Sequence, residues 1–212
     1  MAENSRIILA LDVTDHDKAV HLVNLMKDHI FAVKVGWPLL MESGMDLINE
    51  LSAYTKVICD LKLADVPHTM SMITRGVSDH GAYGIISHSF IGADSLKEVV
   101  KNAKDTKVFS VVSMSNEGSK DFLDYVMHRL IQMSLEIGVH GFVAPGNKYD
   151  ILSHVRRLAG DSAIIISPGV GVQGGDARKA IESGADYIIV GREIYDSTDP
   201  LSTVKALNLS LS

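Results

Sequence analysis

The sequence predicts an α/β protein of the (β/α)8 class, a TIM barrel formed as a single domain over residues 1–212. Three observations predict it. Eight short apolar segments alternate with eight segments of helical periodicity. The apolar segments are rich in Val and Ile, as parallel strands covered by helices should be. The unusual polar residues fall at or just after the C-terminal ends of those strands, where barrels of this class carry their chemistry. A doubly wound open sheet would share the alternation, so the count of eight is the argument for closure.

The elements follow in order. Residues 7–13 read as a buried strand closing on Asp12, and Thr14-Asp15 caps a helix that runs to about Ile30 with Ala19, Leu22, Val23 and Met26 on its apolar stripe. Residues 31–37 form the second strand, with Lys34 inside an apolar run, and Pro38 opens a helix extending to about Ala53. The third unit pairs strand 56–63 with helix 67–80, the fourth strand 83–90 with helix 93–104, and the fifth strand 107–114 with a long helix, 121–137. Strand 141–145 and helix 148–158 make the sixth, strand 163–167 and helix 176–183 the seventh, and strand 186–191 and helix 200–207 the eighth.

Composition bounds the partners. Hydrophobic residues are 46% of the chain and charged residues 22%, enough for a large core. The net charge of −6, without a Lys/Arg-rich run, argues against nucleic acid; a small phosphorylated ligand needs only one local cationic site. Cys59 is the sole cysteine, which excludes an internal disulfide and a cysteine metal cluster. Residues 1–6 show no leader pattern, and no apolar run reaches membrane-spanning length, so a cytoplasmic protein without membrane attachment is expected.

Two sites emerge. Asp60-Leu61-Lys62-Leu63-Ala64-Asp65 closes the third strand. Alternation puts Asp60 and Lys62 on one face and Cys59, Leu61 and Leu63 on the other. Two charges on one face of an apolar strand are costly unless paired or used. Alone they read as a structural ion pair; with Lys34 before and Asp65 after, they form an alternating array able to keep all four groups charged. The second site joins Pro168-Gly169-Val170-Gly171-Val172-Gln173-Gly174-Gly175, after strand seven, to Gly191-Arg192 on strand eight. Such loops hold phosphate in barrels: glycines admit backbone N–H groups and the arginine offers a charged fork. Gln173 can add an amide donor. Ser113 and Ser115 follow strand five, and His88 in strand four is expected to be a core histidine with ordinary hydrogen bonds.

These residues together resemble the orotidine 5′-phosphate decarboxylase family. The likeness lies in Asp60-x-Lys62-x-x-Asp65-Val66-Pro67, Leu11-Asp12, Val33-Lys34-Val35-Gly36, Met114-Ser115, Ser167-Pro168-Gly169-Val170-Gly171-x-Gln173-Gly174-Gly175 and Val190-Gly191-Arg192. It runs in order from the first strand to the eighth and resembles the compact archaeal form; Asn116-Glu117-Gly118 departs from the family pattern. The resemblance implies cofactor-independent decarboxylation of orotidine 5′-phosphate in pyrimidine biosynthesis, with no metal. Lys62 would protonate C6, Asp60 and Asp65 would flank the substrate carboxylate, and Lys34 would bind the ribose and hold Asp60. Asp12 would bind a ribose hydroxyl, Ser115 the pyrimidine, and Gln173, Gly191 and Arg192 the phosphate, with Pro168 a further substrate-binding residue. A homodimer is implied, with Asp65 and Thr69 supplied across its interface. Two alternatives stay open: a metal-dependent sugar-phosphate decarboxylase or aldolase of the same barrel type, against which Lys34 weighs because such relatives resemble a form with Glu there, and a non-catalytic nucleotide-binding barrel.

Overall fold

In a computed structural model the structure describes residues 5–211. The leader reading of residues 1–6 therefore lies mostly outside the described residues. Eight parallel strands close on themselves in sequence order: β1 (Ile7–Leu11), β2 (Ala32–Gly36), β3 (Lys56–Leu63), β4 (Gly84–His88), β5 (Lys107–Val111), β6 (Gly141–Val143), β7 (Ile164–Ser167) and β8 (Tyr187–Val190). β8 returns to β1 through the register Ile7↔Ile188, Ile8↔Ile189 and Leu9↔Val190. The expected (β/α)8 TIM barrel is the fold.

Among the described residues ten α-helices wrap it: α1 (His16–Met26), α2 (Trp37–Ser43), α3 (Asp46–Ser52), α4 (Pro67–Asp79), α5 (Ala93–Asn102), α6 (Leu123–Ile137), α7 (Tyr149–Ala159), α8 (Ala177–Glu182), α9 (Arg192–Tyr195) and α10 (Pro200–Ser210). Two departures from expectation have local causes. The helix expected over 38–53 is two helices, because Gly44 takes φ 76, a left-handed conformation that ends α2. Gly191 and Arg192 do not end the eighth strand: Gly191 caps the short α9 and Arg192 begins it.

Strand alternation sorts the apolar residues into two cores. Leu9, Val33, Cys59, Ile85, Val108, Phe142, Ile165 and Ile188 pack outward against the helices. Ile8, Ala10, Ala32, Ile58, Ile86, Phe109, Val111, Val143, Ile166 and Ile189 fill the barrel interior. At the N-terminal end that interior is closed by aromatic rings. Phe31 stacks on Tyr187 with centroids 3.8 Å apart, Tyr83 meets Phe31 edge-on, and the Lys56 ammonium lies 4.2 Å from the Phe31 ring centre. At the other end the inner positions turn polar: Lys34 follows Ala32, Asp60 follows Ile58, and His88 follows Ile86. Among the described residues no helix is long and apolar enough to cross a membrane.

Candidate active site

The polar end opens into a cavity of about 410 Å³, a volume suited to a small-molecule ligand. Its walls carry Asp12, Lys34, Asp60, Lys62, Ser113, Ser115, Pro168, Gln173, Gly191 and Arg192. The structure thus gathers residues from six of the eight strand ends into one space.

Asp60 is the pivot of the charge array. Lys34 Nζ lies 2.8 Å from its Oδ2, and Lys62 Nζ lies 2.8 Å from both carboxylate oxygens. Lys34 also reaches Asp12 Oδ1 at 3.7 Å. The side chains of Lys34 and Asp60 are 9% and 8% exposed while Asp12 is 60% exposed, so the array runs from the floor to the mouth. Burial pushes the Asp60 carboxyl up, but the charges and hydrogen bonds of Lys34 and Lys62 outweigh it and hold the group below its ordinary range. A buried anion with two cationic partners is stable as an ion.

Lys62 reaches Asp60 by an irregular route. Cys59 pairs with Ile85 and Leu63 with Ser87, so four residues of β3 pass two of β4. Within this bulge Lys62 adopts φ 42, a left-handed conformation rare for a side-chain-bearing residue. Asp60 and Lys62 do share a face, but through a bulge rather than by simple pleating. Bulges beside sites of this kind serve to re-aim a side chain.

The expected phosphate end has its own architecture. Gly169, Gly171 and Gly174 all take positive φ, at 100, 76 and 89. The loop is tied by Gly175 N–H donating to the Gly169 carbonyl at 3.0 Å, and a Cβ on Gly175 would stand 2.5 Å from that oxygen. Gln173 lies in a short 3-10 turn, Gly171–Gln173, and its Oε1 accepts from Ser115 Oγ at 2.9 Å, bridging the β5 and β7 loops across the cavity.

Sequence reasoning missed the group that shapes the β5 loop. Asp124 Oδ1 accepts from Ser113 Oγ and Ser119 Oγ, both at 2.6 Å, and its Oδ2 lies 3.5 Å from Lys148 Nζ. Ser119 Oγ in turn accepts from the Met114 N–H at 2.9 Å. These bonds set the backbone on either side of Ser115. They bracket the Asn116-Glu117-Gly118 stretch, and Lys148 joins them from the loop after β6. Trp37 and Glu193 also line the cavity unannounced.

His88 corrects an expectation. It is buried facing the interior, but among the described residues its Nδ1 has no hydrogen-bond partner. Burial first, then the Lys62 charge, push its pKa down to about 4, against a smaller upward pull from Asp60. Asp65 and Thr69 do not line the cavity of their own chain; Asp65 is exposed and its Oδ1 accepts from the Val66 N–H at 2.7 Å. Among the described residues no three His, Cys, Asp or Glu side chains are grouped to hold a metal ion.

Comparison with known proteins bears on this site. Residues 5–207 match the sequence profile described as the Orotidine 5′-phosphate decarboxylase / HUMPS family. The chain is 50% identical over 204 residues to an orotidine 5′-phosphate decarboxylase of Thermoplasma volcanium, covering 96% of this chain and 92% of that one. It is 46% identical, over 96% of this chain and 94% of the relative, to the enzyme of the same name from Thermoplasma acidophilum. Among solved structures, orotidine 5′-monophosphate decarboxylase from Methanocaldococcus jannaschii, complexed with inhibitor BMP, superposes with a TM-score of 0.93 at 36% identity, covering 98% of this chain and 99% of that one.

Proposed function

Since the chain belongs to the Orotidine 5′-phosphate decarboxylase / HUMPS family, we propose that it converts orotidine 5′-phosphate to uridine 5′-phosphate and CO2 without a cofactor, with Lys62 as the proton donor. The observation that carries this reading is the Lys62 ammonium, held 2.8 Å from both Asp60 oxygens in the wall of an open cavity.

The chemistry needs such a cation. Loss of CO2 from C6 leaves an electron pair in the plane of the pyrimidine, where the ring's π system cannot delocalise it. A preorganised positive charge at that carbon stabilises the developing carbanion, and the same ammonium delivers the proton that completes the reaction. Asp60 keeps Lys62 in place and stands beside the departing carboxylate; the repulsion between the two anions is relieved as neutral CO2 leaves. Lys34 holds Asp60 from the opposite side and, with Asp12, faces the ribose. Ser115 binds the pyrimidine. Gln173, Gly191 and Arg192 take the phosphate, with Pro168 lining the cavity beside them, and the phosphate's binding energy, remote from C6, secures the substrate against that repulsion.

Asp65 and Thr69 stand outside their own cavity, which supports a homodimer in which each completes the partner's site. The whole chain acts as one cytoplasmic (β/α)8 domain. A metal-dependent sugar-phosphate reaction is disfavoured by Lys34, whose ammonium lies 2.8 Å from Asp60 Oδ2, where it would repel a divalent ion.

The test follows the ultraviolet absorbance of orotidine 5′-phosphate with the purified protein, with and without excess EDTA, beside Lys62→Ala. Turnover indifferent to EDTA and reduced by at least about 1,000-fold in the variant is expected, given the weight of electrostatic stabilisation at the reacting carbon. No absorbance change with the native protein would sink the proposal. Activity abolished by EDTA would favour the metal-dependent alternative.

A further inference from the structure

Lys62 occupies a backbone conformation that persists only where its surroundings hold it. On the C-terminal side of the bulge the strand ladder resumes at Leu63↔Ser87, and Ser87 Oγ donates to the Leu63 carbonyl at 3.2 Å. On the N-terminal side the Leu61 carbonyl accepts a hydrogen bond from Nε1 of Trp37 at 2.9 Å. That carbonyl belongs to the peptide leading into Lys62. The Leu61 C=O, the Lys62 nitrogen and the Lys62 Cα lie in one rigid plane, and φ of Lys62 is the rotation about the next bond. Anchoring the carbonyl therefore fixes the plane against which the φ of 42 is set, and with it the direction in which the lysine side chain leaves the strand.

Trp37 is well placed for this. It follows β2 directly and opens α2, so its backbone is fixed by the strand that carries Lys34. It lines the same cavity as Lys62. At 47% exposure it contributes little as core, and indole nitrogen can only donate. A carbonyl left out of register by the bulge is the acceptor such a donor suits.

We propose that Trp37 is a positioning residue for Lys62: its indole N–H pins the Leu61 carbonyl and so maintains the left-handed turn that aims the Lys62 ammonium at Asp60 and into the cavity. The role rests on the function proposed above. It makes the third strand's catalytic geometry depend on the first side chain of α2.

Trp37→Phe removes the donor and keeps an aromatic ring. The measurement is kcat and KM for orotidine 5′-phosphate, with equilibrium binding of uridine 5′-phosphate to the same preparations. Displacing a reacting group by about 1 Å costs on the order of 100-fold, so kcat is expected to fall by roughly 10- to 100-fold. KM and uridine 5′-phosphate affinity stay within about 2-fold, because the Ser115 and Arg192 contacts are untouched. Should the phenylalanine variant not fold, Trp37→Leu repeats the test with no side-chain donor at this position. An unchanged kcat overturns the role. So does a parallel loss of kcat and uridine 5′-phosphate affinity, the signature of a collapsed cavity wall. A native protein without turnover overturns the function and this role together, whereas native turnover with an indifferent variant overturns the role alone.

Discussion

The imidazole of His88 is buried, and burial together with the Lys62 charge takes its pKa from the ordinary 6.5 to about 4. The folded protein therefore resists a proton that the unfolded chain accepts. Stability is complete above about pH 6.5, falls as the pH drops toward 4, and loses nothing further from this group below that. Asp60, also lowered, acts in the same direction at still lower pH, in and below the ordinary carboxylate range. Urea midpoints are expected to decline between pH 7 and pH 4.5, and His88→Gln should flatten that decline; an equal decline in the variant would assign it to other groups. Much of this chemistry was legible in the sequence. Alternation gave Asp60 and Lys62 a common face, and the structure keeps that face by way of the bulge rather than by pleating. The φ of Lys62 was not legible, since it is set by register with β4, more than twenty positions away in the chain. Nor was Asp124, whose role comes from Ser113 and Ser119 of the β5 loop meeting Lys148 of the β6 loop, nor the His88 Nδ1, left without a partner among the described residues.

Strands were easier to read than helix ends. Buried parallel strands are continuous apolar runs, and their cores lie close to where the Val/Ile-rich segments were expected. The break at Gly44 was available as a signal, but an apolar stripe passing through the glycine concealed it. Sequence also hid why some strand positions carry no side chain. At Gly141, the first residue of β6, an added Cβ would stand 2.1 Å from the Ile164 carbonyl oxygen of β7 and 3.1 Å from the Ile164 Cβ. The obstacle is backbone in a paired strand, which cannot swing aside. Gly141→Ala is expected to destabilise the protein by about 3 kcal/mol, the upper range for overpacking, read as a lowered denaturation midpoint with unchanged m-value. A variant as stable as the native protein would mean that β6 and β7 can part at little cost.

At the scale of the whole molecule, the closed barrel was legible from the count of strands, whereas assembly was legible only through resemblance, because Asp65 and Thr69 reveal nothing of a partner in their own sequence. If two chains share each site, inactive variants should complement. In a mixed dimer of Lys62→Ala and Asp65→Ala, one site inherits both defects and the other inherits neither. Equal amounts, dissociated and reassociated at random, should recover roughly a quarter of the native sites. Kinetics on the mixture and on each variant alone test this; a mixture no more active than its parts would place Asp65 outside the shared site. The stacked rings of Phe31 and Tyr187, with Tyr83 and Lys56 beside them, have a different consequence. They stopper the barrel at the end remote from the chemistry, so among the described residues the cavity has a door but no corridor. A nucleotide leaves by the opening through which the next must arrive, and departure and arrival take turns.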